Sequence, residues 1–101
     1  MGYHTSFEIR PLSGGFTEEE STDLEELGFN VLKMAGFMQA KWYEWETDMI
    51  YLSEKHPNTV FVLSGEGESG HDLWRYWFKN GKQQGAEAVI VYPTFDEEVF
   101  K

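Results

Sequence analysis

The sequence contains no cysteine, few cations and no long apolar run. The lack of cysteine excludes disulfide bonds and thiolate metal sites, and a small domain without them is typical of a reducing cytosol. No stretch of about 18 apolar residues occurs, so we predict no segment that spans a membrane. The N-terminal residues MGYHTSFEIR lack the basic and then apolar pattern of a secretory signal. We therefore expect a cytoplasmic protein.

The scarcity of cations makes the chain strongly acidic. Lys and Arg total 8 against 18 Asp and Glu, a net charge of −10 on 101 residues. Such a charge repels nucleic acid phosphates and anionic lipid, so we expect neither direct nucleic acid binding nor membrane binding. It is compatible with a protein partner or with a surface that imitates nucleic acid. Aromatic residues make up 17% of the chain, enough to build a core for one domain over residues 1–101.

The hydrophobic pattern predicts four strands and two helices. The predicted strands are residues 3–10, 59–63, 71–79 and 84–92, and the predicted helices lie near 17–35 and at 42–56. Thr17 and Glu20 have capping-box spacing, Pro57 ends the second helix, and Asn80-Gly81 predicts a hairpin. This order predicts an α+β fold, a mainly antiparallel four-stranded sheet with both helices on one face.

Two details of these boundaries depend on glycine. The first helix is predicted from an apolar stripe, Leu24, Leu27, Val31 and Met34, with Gly36 as its stop. Gly28 lies inside the stripe and is a point at which the helix could break. Residues 64–70, SGEGESG, are predicted to form a mobile turn.

The strand at 71–79 carries the candidate binding residues. Trp74, Tyr76 and Phe78 share one face of it, and Trp77 lies on the other face between Arg75 and Lys79. Exposed aromatic residues beside cations recur at protein interfaces, so the trio Arg75, Trp77 and Lys79 is a candidate binding patch. Two interpretations stay open: Trp77 is exposed and binds a partner, or the N-terminal strand or the C-terminal tail covers it.

A second candidate surface is the acidic start of the first helix. It consists of six carboxylates, Glu18, Glu19, Glu20, Asp23, Glu25 and Glu26. Acids at a helix N-terminus are stabilised by the helix dipole, so capping and solvation already explain them. The alternative is a ridge that imitates the phosphates of DNA.

The sequence contains no catalytic or metal motif. His4, His56 and His71 are scattered, and the acidic loop at 66–72 lacks the ligand spacing of a Ca²⁺ loop. We therefore expect no enzyme activity, no metal and no cofactor.

Residues 41–84 resemble a family of small uncharacterised proteins of phages and bacterial mobile elements. The resemblance lies in Lys41-Trp42-Tyr43-Glu44, Asp48-Met49, Leu52-Ser53, Pro57, Phe61, the GEGE at 65–68, Asp72, Trp74 and Phe78-Lys79-Asn80-Gly81-Lys82. Phe95-Asp96 is similar too. The resemblance implies a phage or prophage setting and brings no known activity.

These observations predict a small acidic, non-catalytic module that binds a host protein in the host cytoplasm. One alternative is a DNA mimic that inhibits a DNA-binding host enzyme. Another is an enzyme or small-molecule binder with a pocket between helices and sheet. A homodimer through the sheet face or edge is also compatible with the sequence.

Overall fold

The computed structural model describes residues 5–32, 34–67, 73–87 and 95–100. In chain order, its elements are β1 (Thr5–Pro11), α1 (Glu18–Leu27), β2 (Asn30–Val31), β3 (Gly36–Ala40), α2 (Trp45–Lys55), β4 (Phe61–Gly67), β5 (Leu73–Lys79), β6 (Lys82–Glu87) and a 3-10 helix (Glu97–Phe100). The strands form one antiparallel sheet in the order β2-β3-β1-β4-β5-β6. The α+β class is confirmed, but the sheet has six strands rather than the predicted four.

Helix α1 begins as predicted and ends earlier. The Thr17 hydroxyl accepts a hydrogen bond from Glu20 N at 3.2 Å, and Glu20 Oε1 accepts one from Thr17 N at 2.8 Å. The prediction that the helix continues to residue 35 is wrong, because Gly28 adopts a left-handed φ of 111° and ends it at Leu27. Phe29 N then bonds back to the Leu24 carbonyl, a hydrogen bond typical of a helix end closed by glycine.

Strands β2 and β3 replace the second half of the predicted helix. Val31 pairs with Gly36, and β3 continues along β1 with Phe7 opposite Met38. Gly36, predicted as a helix stop, is instead the first residue of β3, and a Cβ there would lie 3.0 Å from the Ile9 side chain. The apolar stripe that predicted one helix is thus divided at Gly28, with Leu24 and Leu27 in α1 and Val31 in β2.

Strands β4, β5 and β6 form the predicted meander with altered ends. Residues 64–67, assigned by the sequence to a turn, continue β4, and residues 68–72 lie outside the described part. The predicted hairpin is confirmed, since Asn80 and Gly81 have φ of 47° and 79°, the signs that a two-residue type I′ turn requires. β6 begins at Lys82, and residues 88–92 of the predicted strand are not described.

The hydrophobic core lies between the helices and one face of the sheet. Fully or almost fully buried residues of this layer are Phe7, Ile9, Phe61, Leu63 and Phe78 from the strands, and Leu24, Met49 and Leu52 from the helices. The pairing registers put these five strand residues on the same face, so both helices cover one side of the sheet as predicted. The buried hydroxyl of Ser53 accepts a hydrogen bond from Gly81 N at 2.9 Å and so ties α2 to the β5–β6 turn.

None of the described helices combines the length and the apolar run needed to cross a bilayer.

Candidate functional site

The side of the sheet opposite the helices carries the predicted aromatic patch. Side chains alternate along a strand, so the residues that do not face the core project from this second side. We call it the helix-free face, because α1 and α2 lie on the other side, and its described strand residues are Ser6, Glu8, Arg10, Asn30, Phe37, Gln39, Val62, Ser64, Glu66, Leu73, Arg75, Trp77, Lys79, Lys82, Gln84 and Ala86. The pattern in residues 73–79 therefore placed Trp77 on the correct face.

Trp77 is half-buried at the middle of this face. Val62 lies opposite it on β4 and is only 6% exposed, although α1 and α2 both lie on the other side of the sheet, so other side chains shield it. Arg75 and Lys79 flank Trp77 along β5 and are exposed. Arg75 Nε donates to Ser64 Oγ at 3.1 Å, which holds the guanidinium across the neighbouring strand. The predicted trio thus forms one continuous surface.

Two grooves meet at Trp77. The first has a volume of about 730 Å³ and is lined by Phe37, Leu73, Arg75, Glu66 and Trp77, among others. The second has a volume of about 660 Å³ and lies beyond the Trp77 ring, against Leu12, Val60, Lys79 and Lys82. The Trp77 side chain is therefore the shared wall of both concavities.

The charge of this face is opposite in sign to that of the whole chain. Its described strand residues include four cations, Arg10, Arg75, Lys79 and Lys82, and two carboxylates, Glu8 and Glu66. Glu8 is already paired with Arg10 at 2.8 Å. A chain with 18 acids therefore keeps half of its 8 cations on one side of its sheet. The carboxylates are concentrated elsewhere.

The six predicted carboxylates of α1 do not form a uniform ridge. Glu20 is buried in the capping box, and Asp23 lies between the two helices. Glu18, Glu19, Glu25 and Glu26 remain exposed on α1. The acidic surface is therefore built from these four side chains rather than from six.

Asp23 joins the two helices. His56 Nε2 lies 2.7 Å from Asp23 Oδ2, and Lys55 Nζ donates to Asp23 Oδ1 at 3.0 Å. The hydrogen bond with His56, helped by Lys55, holds the pKa of Asp23 below its ordinary value of 3.8. The same contact with Asp23 raises the pKa of Lys55. These partners are 32 and 33 residues apart in sequence, so no local pattern could have predicted them.

Glu20 gives a testable dependence of stability on pH. Burial raises the pKa of its carboxyl, but hydrogen bonds, led by the one from Thr17 N–H, outweigh burial and hold the pKa below 4.5. A carboxyl with a lowered pKa in the folded state stabilises the fold above pH 4.5. That contribution is lost as the pH falls through the folded-state value. We expect Glu20→Gln, whose amide oxygen can still accept from Thr17 N, to show a smaller loss of unfolding free energy between pH 7 and acid.

Urea unfolding of both proteins across that pH range measures the difference. Glu19→Gln removes the same charge from an exposed position and is the matched control, which should follow the wild type. An equal pH dependence for the wild type and Glu20→Gln would contradict the expectation.

The described residues contain no group of three or more His, Asp or Glu side chains placed to hold a metal ion. His4 and His71 lie outside the described part, and His56 is engaged by Asp23. The sequence missed Leu12, Val60, Phe37 and Lys82 as members of the surface. Lys82 was accessible to prediction, because an Asn-Gly turn places it opposite Lys79.

Comparison with protein-family models, curated proteins and solved structures found no match to this chain. The resemblance to phage and mobile-element proteins therefore stays a prediction.

Proposed function

We propose that the chain is a small non-catalytic module that binds another protein through the helix-free face of its sheet. In keeping with the resemblance of residues 41–84, we propose that it is phage-encoded and acts on a bacterial host protein in the host cytoplasm. The observation that carries the proposal is the position of Trp77, half-buried between two grooves on the face of the sheet opposite α1 and α2.

The composition of the face supports a protein partner. Interface cores are enriched in Trp, Tyr and Arg and are surrounded by polar groups that exclude water. Trp77 with Arg75 fits that pattern, and Phe37 and Leu73 extend the apolar part across the first groove. A nucleic acid ligand is disfavoured, because a net charge of −10 repels phosphates at long range.

The test is capture of a binding partner by the wild type and by Trp77→Ala from bacterial host lysate. Truncation of an interface hot spot costs about 2 kcal/mol or more, so Trp77→Ala should weaken capture roughly thirtyfold. Tyr51→Ala is the matched control, since Tyr51 is 72% exposed on α2, on the other side of the sheet. Equal capture of the same partner by wild type and Trp77→Ala would rule out this face as the interface.

A DNA mimic remains the second candidate, supported by the concentration of exposed carboxylates on α1. Its interface would be the helix layer rather than Trp77. It predicts binding to a DNA-processing enzyme that DNA competes away and that high salt abolishes. Glu25→Lys with Glu26→Lys should then weaken binding, whereas Trp77→Ala should leave it intact.

The third alternative, a pocket between helices and sheet, has no structural observation in its favour. The buried polar residues of the described part are Glu20 and Ser53, and both are used in hydrogen bonds that hold the fold together. An enzyme site needs convergent polar groups in a concave pocket.

A further inference from the structure

The second groove of the helix-free face differs from the first groove in its charge. We call it the lysine groove and define it by Leu12, Val60, Trp77, Lys79 and Lys82; its volume is about 660 Å³. Among the described residues that line it, the two lysines are the charged ones, whereas the lining of the first groove includes two carboxylates and one guanidinium. In a chain with a net charge of −10, the lysine groove is therefore a local positive site.

The hydrogen bonds and ion pairs of the fold leave both lysines unused. Lys79 and Lys82 are the closing pair of the β5–β6 hairpin, lie directly opposite each other and are exposed. Like charges directly opposite each other destabilise a strand pair, so hairpin formation does not explain this choice of residues. In the described part of the chain, no ion pair joins either lysine to a carboxylate. Both ammonium groups are therefore open to an anion from outside the chain.

An apolar surface borders the two lysines. Leu12, next to the end of β1, is 63% exposed, and its N–H donates to the Val60 carbonyl at 3.0 Å, which holds these two residues together. Trp77 lies two residues before Lys79 on the same side of β5, which separates their Cα atoms by about 7 Å. A ligand that fills the lysine groove therefore needs an apolar group close to its negative charge.

The charge of the whole chain limits the number of charges that this ligand can carry. A net charge of −10 repels an approaching polyanion such as DNA or RNA, and the repulsion grows with the charge of the ligand. A ligand with two or three carboxylates meets little of this long-range repulsion and still has a cation for each of two carboxylates at contact. A short acidic segment of a protein fits these requirements better than a nucleic acid does.

We propose that the lysine groove binds an extended acidic segment of the partner protein. An apolar side chain of that segment packs on Leu12 and Trp77, and two carboxylates within about three residues of it pair with Lys79 and Lys82. The Cα atoms of the two lysines are about 5 Å apart in such an antiparallel pair, so nearby acids of an extended chain reach one lysine each. This inference rests on the proposed function and adds the chemistry of the partner's binding segment.

A random peptide library selected for binding to the full chain tests the proposal. We expect the enriched peptides to contain an apolar residue with two acids close to it. Binding of the most enriched peptide, measured by NMR titration, should weaken about tenfold in Lys79→Gln with Lys82→Gln, because each exposed charge pair contributes about threefold. Lys79→Arg with Lys82→Arg keeps both charges and should bind the peptide as the wild type does.

The matched control is Lys41→Gln with Tyr51→Glu. It changes the net charge by the same amount at two exposed positions outside the groove, so it should bind the peptide as the wild type does. Failure to enrich any peptide, enrichment of peptides without acids, or equal binding by the wild type and the Lys79→Gln, Lys82→Gln variant would overturn the proposal. Stronger binding of a thymidine oligonucleotide than of the enriched peptide would overturn it too.

Capture of the partner distinguishes a failure of this inference from a failure of the proposed function. If Trp77→Ala loses capture and Lys79→Gln with Lys82→Gln keeps it, the helix-free face is the interface but the lysine groove does not hold the acidic segment. If Trp77→Ala keeps capture, the proposed function itself fails. Loss of capture by both variants, together with displacement of the partner from the wild type by the enriched peptide, is the result that supports both.

Discussion

Replacing Gly65 with alanine is expected to lower the free energy of unfolding by about 3 kcal/mol, at the upper end of the range for overpacked cores. A Cβ built at Gly65 would lie 2.2 Å from Trp74 Cζ2, well inside any contact distance. Trp74 lies opposite Gly65 on β5, and its ring covers the glycine. The ring would have to leave this position to admit one methyl group.

The Trp74 ring has little freedom to move away. On its other side it stacks on Trp45 of α2, with centroids 4.6 Å apart and planes 19° apart, and its edge meets Phe7 at 5.8 Å. Displacement of the Trp74 ring would therefore disturb the packing of α2 on the sheet as well as the contacts of Trp74 itself. Urea unfolding followed by far-ultraviolet circular dichroism measures the loss.

Gly14→Ala is the matched control. Gly14 has a φ of 71° and no heavy atom within 4 Å of a built Cβ, so alanine there should cost only the left-handed strain of about 1–2 kcal/mol. The cause is isolated by the double variant Gly65→Ala with Trp74→Ala, in which the added methyl group should cost little beyond the loss of the ring. If Gly65→Ala costs no more than Gly14→Ala, the ring does not hold this position.

The same residue explains one failure of the sequence-based prediction. Residues 64–70 combine glycine with acids, which is typical of a solvated turn, and a turn was predicted there. In the structure Gly65 belongs to β4, where it pairs with Phe7 on β1 and Trp74 on β5, and its lack of a Cβ leaves room for the indole ring of Trp74. Local composition cannot distinguish a glycine that allows a turn from one that makes room for a ring, since the second depends on strand register.

The first helix was predicted at its start but extended too far at its end. Its start was predictable because the capping box is a local interaction between Thr17 and Glu20. Its end was identified only as a possible break at Gly28, because Val31 and Met34 continue the apolar spacing of Leu24 and Leu27 beyond that residue. Of the two short strands that follow, β3 pairs with β1, which is far away in sequence, and β2 pairs with β3.

The candidate surface was likewise predictable in one part and not in another. Alternation along residues 73–79 correctly assigned Trp77 to the face opposite Trp74, Tyr76 and Phe78, because the side-chain period of a strand is local. The grooves on both sides of Trp77 were not predictable, since Leu12 and Phe37 reach this face from the end of β1 and from a strand that the sequence did not reveal. Pattern thus identified the central residue, and tertiary packing determines its surroundings.

Trp45→Ala is expected to lower the free energy of unfolding more than Trp77→Ala does, because the two tryptophans lie on opposite faces of the sheet. Trp45 packs on Trp74, Tyr76 and Phe78 with ring centroids 4.6, 4.9 and 6.4 Å away, so it is the main aromatic contact of α2 with β5. We expect its replacement to cost about 3 kcal/mol, the lower end for a buried tryptophan because its ring is half-buried. Trp77 has the same chemical nature and is half-buried too, but it faces the side without helices.

The loss for Trp77→Ala is expected to be about 1 kcal/mol, since α1 and α2 pack on the other face of the sheet and the variant uncovers nearby residues such as Val62. Chemical unfolding monitored by circular dichroism compares the two variants without relying on tryptophan fluorescence. A stability loss for Trp77→Ala equal to that for Trp45→Ala would make Trp77 a structural residue, and weakened partner capture by that variant would then reflect unfolding. A small loss of stability combined with a large loss of capture is the result that only an interface residue produces, because binding energy is concentrated in a side chain that the fold itself does not require.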